Sequence, residues 1–159
     1  MHRSPLRTTV TALAGLLLAA CASAPKPLQG EFVALSPADA VRAGSLGERV
    51  RWGGRIVSVE PLAEESCFEV VSRPLAGDGR PVDRDGSTGR FIACRAGFYD
   101  PEVFRPGRDV SFVGRIDGFE HRKVGDYGYR YPRLAAEVVY LWPERRDVVV
   151  IERYPYWWW

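Results

Sequence analysis

The 159-residue chain predicts one all-β domain, β-rich with short helices and rolled into a small barrel. Three features carry that expectation. Beyond residue 48, apolar and polar residues alternate with a period of two in several short runs. Clusters of Gly, Pro, Asp and Ser separate those runs. Two adjacent glycines, Gly53 and Gly54, interrupt the first run, as at the bulges and bends by which small sheets turn corners.

The elements follow in order. In "LSPADAVRAG", Ser36 is an N-cap, Pro37 suits the first helical position, Asp39 stands where a capping box places its acid, and Gly44 is a stop. The spacing predicts a helix over 37–43. "ERVRWGGRIVSVEPL" is the first strand, with Val50 and Trp52 on one face and Val57 and Val59 alternating beyond the glycines. "SCFEVVSRPL" and "GRFIACRAGF" are the second and third, joined by the loop "AGDGRPVDRDGSTG". Asp100 and Pro101 predict a single helical turn before Pro106-Gly107.

"RDVSFVGRIDGFEH" is the clearest strand, setting Val110, Phe112, Gly114 and Ile116 against Ser111, Val113, Arg115 and Asp117. "KVGDYGYRYP" reads as a glycine-aromatic turn or short hairpin, and "RLAAEVVYLWPE" as the last core strand, closed by Pro143. An edge strand at 148–151 completes the series. About five core strands, the edge strand apart, with short helices suit the partly open oligomer-binding (OB) barrel, with a β-sandwich as the alternative.

The N-terminus has a different character. Arg3 and Arg7 precede an apolar run from Val10 to Ala20, too short for the roughly 20 residues of a bilayer span. That is the layout of a secretory signal peptide. Its end, Leu18-Ala19-Ala20-Cys21, resembles the bacterial lipobox. The resemblance implies cleavage before Cys21, a diacylglyceryl group on its thiol and an acyl group on the new amine. Two or more chains hold a protein stably at a membrane where one does not. Ala22, in place of an aspartate, implies onward sorting to the outer membrane. Residues 1–20 are then a cleaved leader, 21–30 a flexible tether, 31–147 the barrel domain and 148–159 an aromatic tail.

Processing changes the charge and cysteine counts. Loss of Arg3 and Arg7 leaves 20 basic residues against 20 acidic ones, without any block of like charge. Nucleic-acid binders usually carry a basic stripe, so nucleic acid is not an expected partner. Of the three cysteines, Cys21 is assigned to lipid. Cys67 and Cys94 remain, in a compartment where disulfides persist. Paired across an antiparallel ladder, they set Phe68 opposite Ala93 and Val70 opposite Phe91, with the hairpin tip near Arg80-Pro81. The competing reading is two buried free thiols.

"VRWGGRIVSVEP", "CFEVVSRPL", "GRFIACRAGFYDPEVFRPGRDVSFVGRIDG" and "YRYPRLAAEVVYLWPE" together resemble the Slp family of outer-membrane lipoproteins, over about residues 30–144. The resemblance implies a lipid-anchored, starvation- or stress-inducible protein of the Gram-negative outer membrane. It brings no catalytic residue, ligand or cofactor with it.

Side chains that could carry chemistry are few. His121 is the one histidine beyond the leader, in a charged, loop-like stretch, and no Gly-x-Ser-x-Gly elbow accompanies it. No enzyme activity is expected. Asp78, Asp83 and Asp85 share the glycine-rich loop but lack EF-hand spacing, so a solvated turn is expected there and no metal. Trp52, Phe98, Tyr99, Tyr127, Tyr129 and Tyr131 are aromatics that could stack on a glycan. Trp52 and Phe98 are expected in the core, and the period-two tyrosines on one face of a strand. The terminal Trp157, Trp158 and Trp159 are candidates for membrane or partner contact, since Trp favours interfaces. Partners are therefore the outer membrane and, beyond it, envelope proteins or glycans.

Overall fold

The structure, a computed structural model, describes residues 23–145. Five strands form one sheet: β1 (Arg49–Pro61), β2 (Glu65–Ser72), β3 (Arg90–Ala96), β4 (Asp109–Val124) and β5 (Tyr127–Leu141). The sheet closes in the order β1-β2-β3-β5-β4. All pairings are antiparallel except β3 with β5, where Ile92, Ala93 and Cys94 run alongside Arg133, Leu134 and Ala135. This five-stranded closed barrel is the OB-like architecture, and closure pairs the first and last strands of the sheet.

Helix α1 (Pro37–Ala43) forms as its caps dictate. Ser36 Oγ accepts from Asp39 N–H at 3.1 Å, and Gly44 ends the helix in the left-handed region at φ 64°. The Ser36 hydroxyl donates back to the Asp39 carboxylate and holds it below the usual carboxylate range. Ala40 is the buried contact of α1 with the core. Trp52 Nε1–H donates to Leu35 O at 2.6 Å, so the segment entering α1 closes the barrel end where β2 stops and β3 begins.

The opposite end is closed by the connection from β3 to β4. Asp100 starts a turn there, with Phe104 N–H donating to Asp100 O, but no helix develops. Tyr99 and Phe104 from this turn pack edge-on against Phe68. Between the caps, Trp52, Phe91, Phe112 and Phe68 form a continuous run of tilted ring contacts with centroids 5.3–5.7 Å apart. Val50, Ile56, Val70, Val110, Ile116 and Leu134 complete the interior.

Several expectations needed correction. The irregularity in β1 falls at Val57, between the pairs Ile56↔Val70 and Ser58↔Glu69, and not at the glycines. The extra residue carries Ile56 and Val59 inward, in place of Val57 with Val59. Gly53 and Gly54 instead mark close approach, because Gly54 pairs with Val110 and Ser72 at once. Phe98, expected in the core, is 74% exposed. Gly97, at φ 100°, resets the alternation, and Tyr99 N–H bonds Ser66 Oγ at 3.0 Å, so Tyr99 takes the inward place.

The glycine-aromatic segment is a hairpin tip, but a far longer hairpin than expected. Only Gly125 and Asp126 lie outside the ladder, with Gly125 at φ 60° in the first turn position. From residue 118 to 132 the two strands pair only with each other, as an arm extending from the barrel. The β2–β3 ladder stops at Val71↔Arg90, so the tip is not a simple turn at Arg80-Pro81. The loop folds on itself, with Leu75 bridging Pro81 and Gly79 N–H donating to Ala76 O.

A second cluster covers the barrel's outside. Ala24 and Leu28 pack with Val113 and Trp142, and a short 3-10 turn spans Lys26–Leu28. Residues 24–28, read from the sequence as free tether, are thus fastened to the barrel. Leu28 finds an apolar seat, and its carbonyl accepts from Arg51 at 2.9 Å. The Ser111 hydroxyl ties this face to the β2–β3 loop: it accepts from Trp142 Nε1–H and donates to Gly79 O at 2.7 Å.

Candidate functional site

Cys67 and Cys94 face each other in β2 and β3, with Cα atoms 4.1 Å apart, and form a disulfide. The register is the one read from the sequence, Phe68↔Ala93 and Val70↔Phe91 included. The close Cα approach marks a non-hydrogen-bonded pair. Both sulfurs lie on the outer face of the sheet, under Tyr131 and beside Ile92. Glu65 stands close enough to the two sulfurs to suggest a metal-ligand cluster, but bridged sulfurs are not thiolates.

The three tyrosines do share one face of β5, in graded burial. Tyr127, at the arm's tip, is 71% exposed, Tyr129 is half-buried, and Tyr131 is fully buried. Their rings step inward with centroids 6.5 and then 4.9 Å apart. The upper rung is open to solvent and the lowest is sealed in the packing.

Tyr131 Oη–H donates to Glu69 Oε1 at 2.8 Å, and Arg90 donates to the same oxygen. Burial first, and the Glu69 carboxylate next, push the Tyr131 phenol up to about 12. The folded chain therefore keeps this proton where the unfolded chain releases it. The stabilisation is complete below about pH 10, the ordinary tyrosine range, and is lost as pH rises through about 12. A spectrophotometric titration should show one tyrosine ionising late and together with unfolding. Tyr131→Phe should remove that component; seven tyrosines titrating together near pH 10 would contradict it.

The remaining candidates separate. His121 is exposed and lies within β4, paired with Arg130, and not in a loop. Asp78 accepts from Arg80 N–H in its own loop, while Asp83 is taken by Arg55 and Arg73, so the loop aspartates do not converge. Cys21, Trp157, Trp158, Trp159 and the edge strand at 148–151 lie outside the described residues. Among the described residues, no helix is long and apolar enough to cross a membrane.

Sequence reasoning missed one assembly. Arg55, Arg80, Arg105, Arg108 and Arg145 converge on a cleft of about 280 Å³ that also holds Asp109 and Glu144. Asp109, 8% exposed, lies within ion-pair reach of Arg55, Arg80 and Arg145. No run of charge announces the cleft, because its five arginines come from four segments of the chain, with only Arg105 and Arg108 close together in sequence.

The fold and the fastened segment at residues 24–28 define a small closed β-barrel. The sequence matches the family described as "Outer membrane lipoprotein Slp family" over residues 18–159, and the chain belongs to that family. Its place is the Gram-negative outer membrane. It is similar to the uncharacterized lipoprotein YeaY of Escherichia coli, with 30% identity over 85% of this chain and 72% of the relative. An uncharacterized protein of Haemophilus influenzae is also 30% identical, over 79% of this chain and 70% of its own. The outer membrane protein Slp of E. coli is 26% identical, over 84% and 72%. Among solved structures, a small single-stranded DNA-binding protein from Streptomyces coelicolor aligns with a TM-score of 0.40 and 14% identity. That alignment covers 61% of this chain and 95% of the other.

Proposed function

We propose that the chain is a non-catalytic envelope protein, anchored by a diacylglyceryl and an N-acyl group on Cys21. It holds its barrel against the outer membrane in a structural or stress-related role. One observation carries this reading. The chain is already fastened to the barrel at Ala24 and Leu28, immediately after the lipobox. Three residues from Cys21 to Ala24 reach at most ~11 Å, so the anchor is a short leash and not a long tether. The terminal Trp157, Trp158 and Trp159 would add an interfacial contact of the kind Trp favours.

The test is Cys21→Ser. Lipid labelling should vanish and the protein should move from the membrane to the soluble envelope fraction. Tight membrane retention of the unlabelled variant would contradict the anchor.

A second reading has one observation in its favour, the open upper rung of the tyrosine face at Tyr127. There the barrel would be a binding module for an envelope glycan or another oligomeric ligand. Saturable affinity of the protein for an envelope glycan would select that reading.

A further inference from the structure

The arginine cleft gathers five arginines from four segments of the chain, among the described residues. Its five arginines face two carboxylates, leaving an excess of three positive charges. The adjoining Arg73 and Asp83 add one charge of each sign and do not alter the excess. The carboxylates on hand do not saturate the guanidiniums either. Among the described residues, Nε of Arg55, of Arg73 and of Arg80 are buried and make no hydrogen bond, with Nε of Arg55 and of Arg80 held only at ion-pair distance from Asp109, 3.9 and 3.5 Å. Backbone carbonyls hold several of the side chains in place: Arg80 donates to Pro143 O at 2.7 Å, Arg108 to Trp142 O at 2.9 Å and Arg145 to Pro81 O at 2.7 Å. The cleft is thus a preformed cationic site and not a set of free surface chains.

The choice of side chain narrows the ligand. All but two of the chain's 22 basic residues are arginine, the exceptions being Lys26 and Lys123, and neither lysine lines the cleft. The planar guanidinium fork matches the oxygens of a phosphate two at a time. A convergent set of such forks around an opening of this size suits a single phosphate group.

Position narrows it further. Arg80 directly follows Gly79, which packs beside Ala24 and Leu28 and whose carbonyl is held by Ser111. The Arg80 guanidinium lies 5.6 Å from the Trp142 ring centroid, and Trp142 packs with Ala24 and Leu28. The cleft therefore opens beside the point where the chain leaves the barrel toward Cys21.

We infer that the arginine cleft binds the phosphate of an anionic lipid headgroup in the leaflet that carries the anchor. This rests on lipidation at Cys21, which brings the cleft to the headgroup layer. Headgroup binding then fixes how the barrel stands on the membrane, which the lipid alone does not. Surface potential from anionic lipid decays over a Debye length of roughly 8–10 Å, and a leash of ~11 Å keeps the barrel close to that layer.

The experiment uses the full processed lipoprotein in vesicles of phosphatidylcholine, with or without phosphatidylglycerol. Arginine modification by phenylglyoxal is mapped residue by residue. Phosphatidylglycerol should slow the modification of Arg55 and Arg105 about tenfold and leave Arg115 and Arg130, which lie outside the cleft, unchanged. Arg55→Gln with Arg145→Gln should abolish the protection at Arg105, whereas Arg115→Gln with Arg130→Gln should preserve it. Equal rates in both vesicles, or equal loss in both double variants, would overturn the inference. Protection by inorganic phosphate alone in phosphatidylcholine vesicles would overturn the headgroup assignment in favour of a free anion. Protection by a single-stranded oligonucleotide and not by phosphatidylglycerol would overturn it in favour of nucleic acid. Failure of the protein to float with phosphatidylcholine vesicles reports on the anchor, separately from the cleft.

Discussion

Gly54→Ala should destabilise the barrel by about 3 kcal/mol or more, at the upper end for overpacking. A methyl group there would stand 2.7 Å from the Val71 carbonyl carbon and 2.9 Å from Ser72 Cα, and nearer still to the Val71 oxygen. These are backbone atoms in a paired strand, so no rotamer change relieves the clash. The position cannot yield without parting β1 from β2, because Gly54 is paired to Ser72 on one side and to Val110 on the other. Gly118→Ala is the matched control, since a methyl group on that β4 glycine meets nothing within 4 Å. Thermal unfolding should show Gly54→Ala lower by roughly 10 °C or failing to fold, with Gly118→Ala shifted only slightly. Equal shifts would mean that the close approach at Gly54 does not hold the closure.

The Cys67–Cys94 disulfide carries the second large effect. The two residues are 27 apart in sequence, and closing such a loop removes roughly 3–4 kcal/mol of unfolded-chain entropy in the loop-closure description. Replacing both by Ala should cost about that much, plus a smaller loss of packing under Tyr131. Burial predicts slow chemistry at the bond. Under native conditions reductant should act poorly, and in denaturant two alkylations should appear only after reduction. Two alkylations in denaturant without reductant would contradict the bond. A single Cys→Ala variant should resemble the double one in stability, because either change opens the loop.

What the sequence disclosed, and what it did not, follows from how each feature is encoded. The caps of α1 are local chemistry, so Ser36, Pro37, Asp39 and Gly44 announced it. The β2–β3 register was legible because two cysteines fix a ladder once they are paired. The interior of β4 was legible from alternation alone. The arm at 118–132 was not: much of it is exposed or half-exposed, and charged residues such as Glu120, Arg122 and Lys123 erase the apolar period. The bulge at Val57 left no mark, since one added residue in a valine-rich run looks like continued alternation. Residues 24–28 looked like linker because Pro25 and Pro27 flank a lone lysine. Leu28 gained its meaning only from Val113 and Trp142, far along the chain. The arginine cleft is the extreme case. Arg55, Arg80, the neighbours Arg105 and Arg108, and Arg145 come from four parts of the sequence and sit among acids in a nearly neutral chain, so only the closed barrel shows that they share a site.

The leash between lipid and barrel is the claim on which membrane placement, headgroup contact and the role in the envelope all depend. The mass of the N-terminal peptide from protein extracted from outer membranes tests it most directly. The peptide should begin at Cys21 and carry the added mass of a diacylglyceryl group and one amide-linked acyl chain. A peptide that begins elsewhere, or an unmodified Cys21, would contradict it.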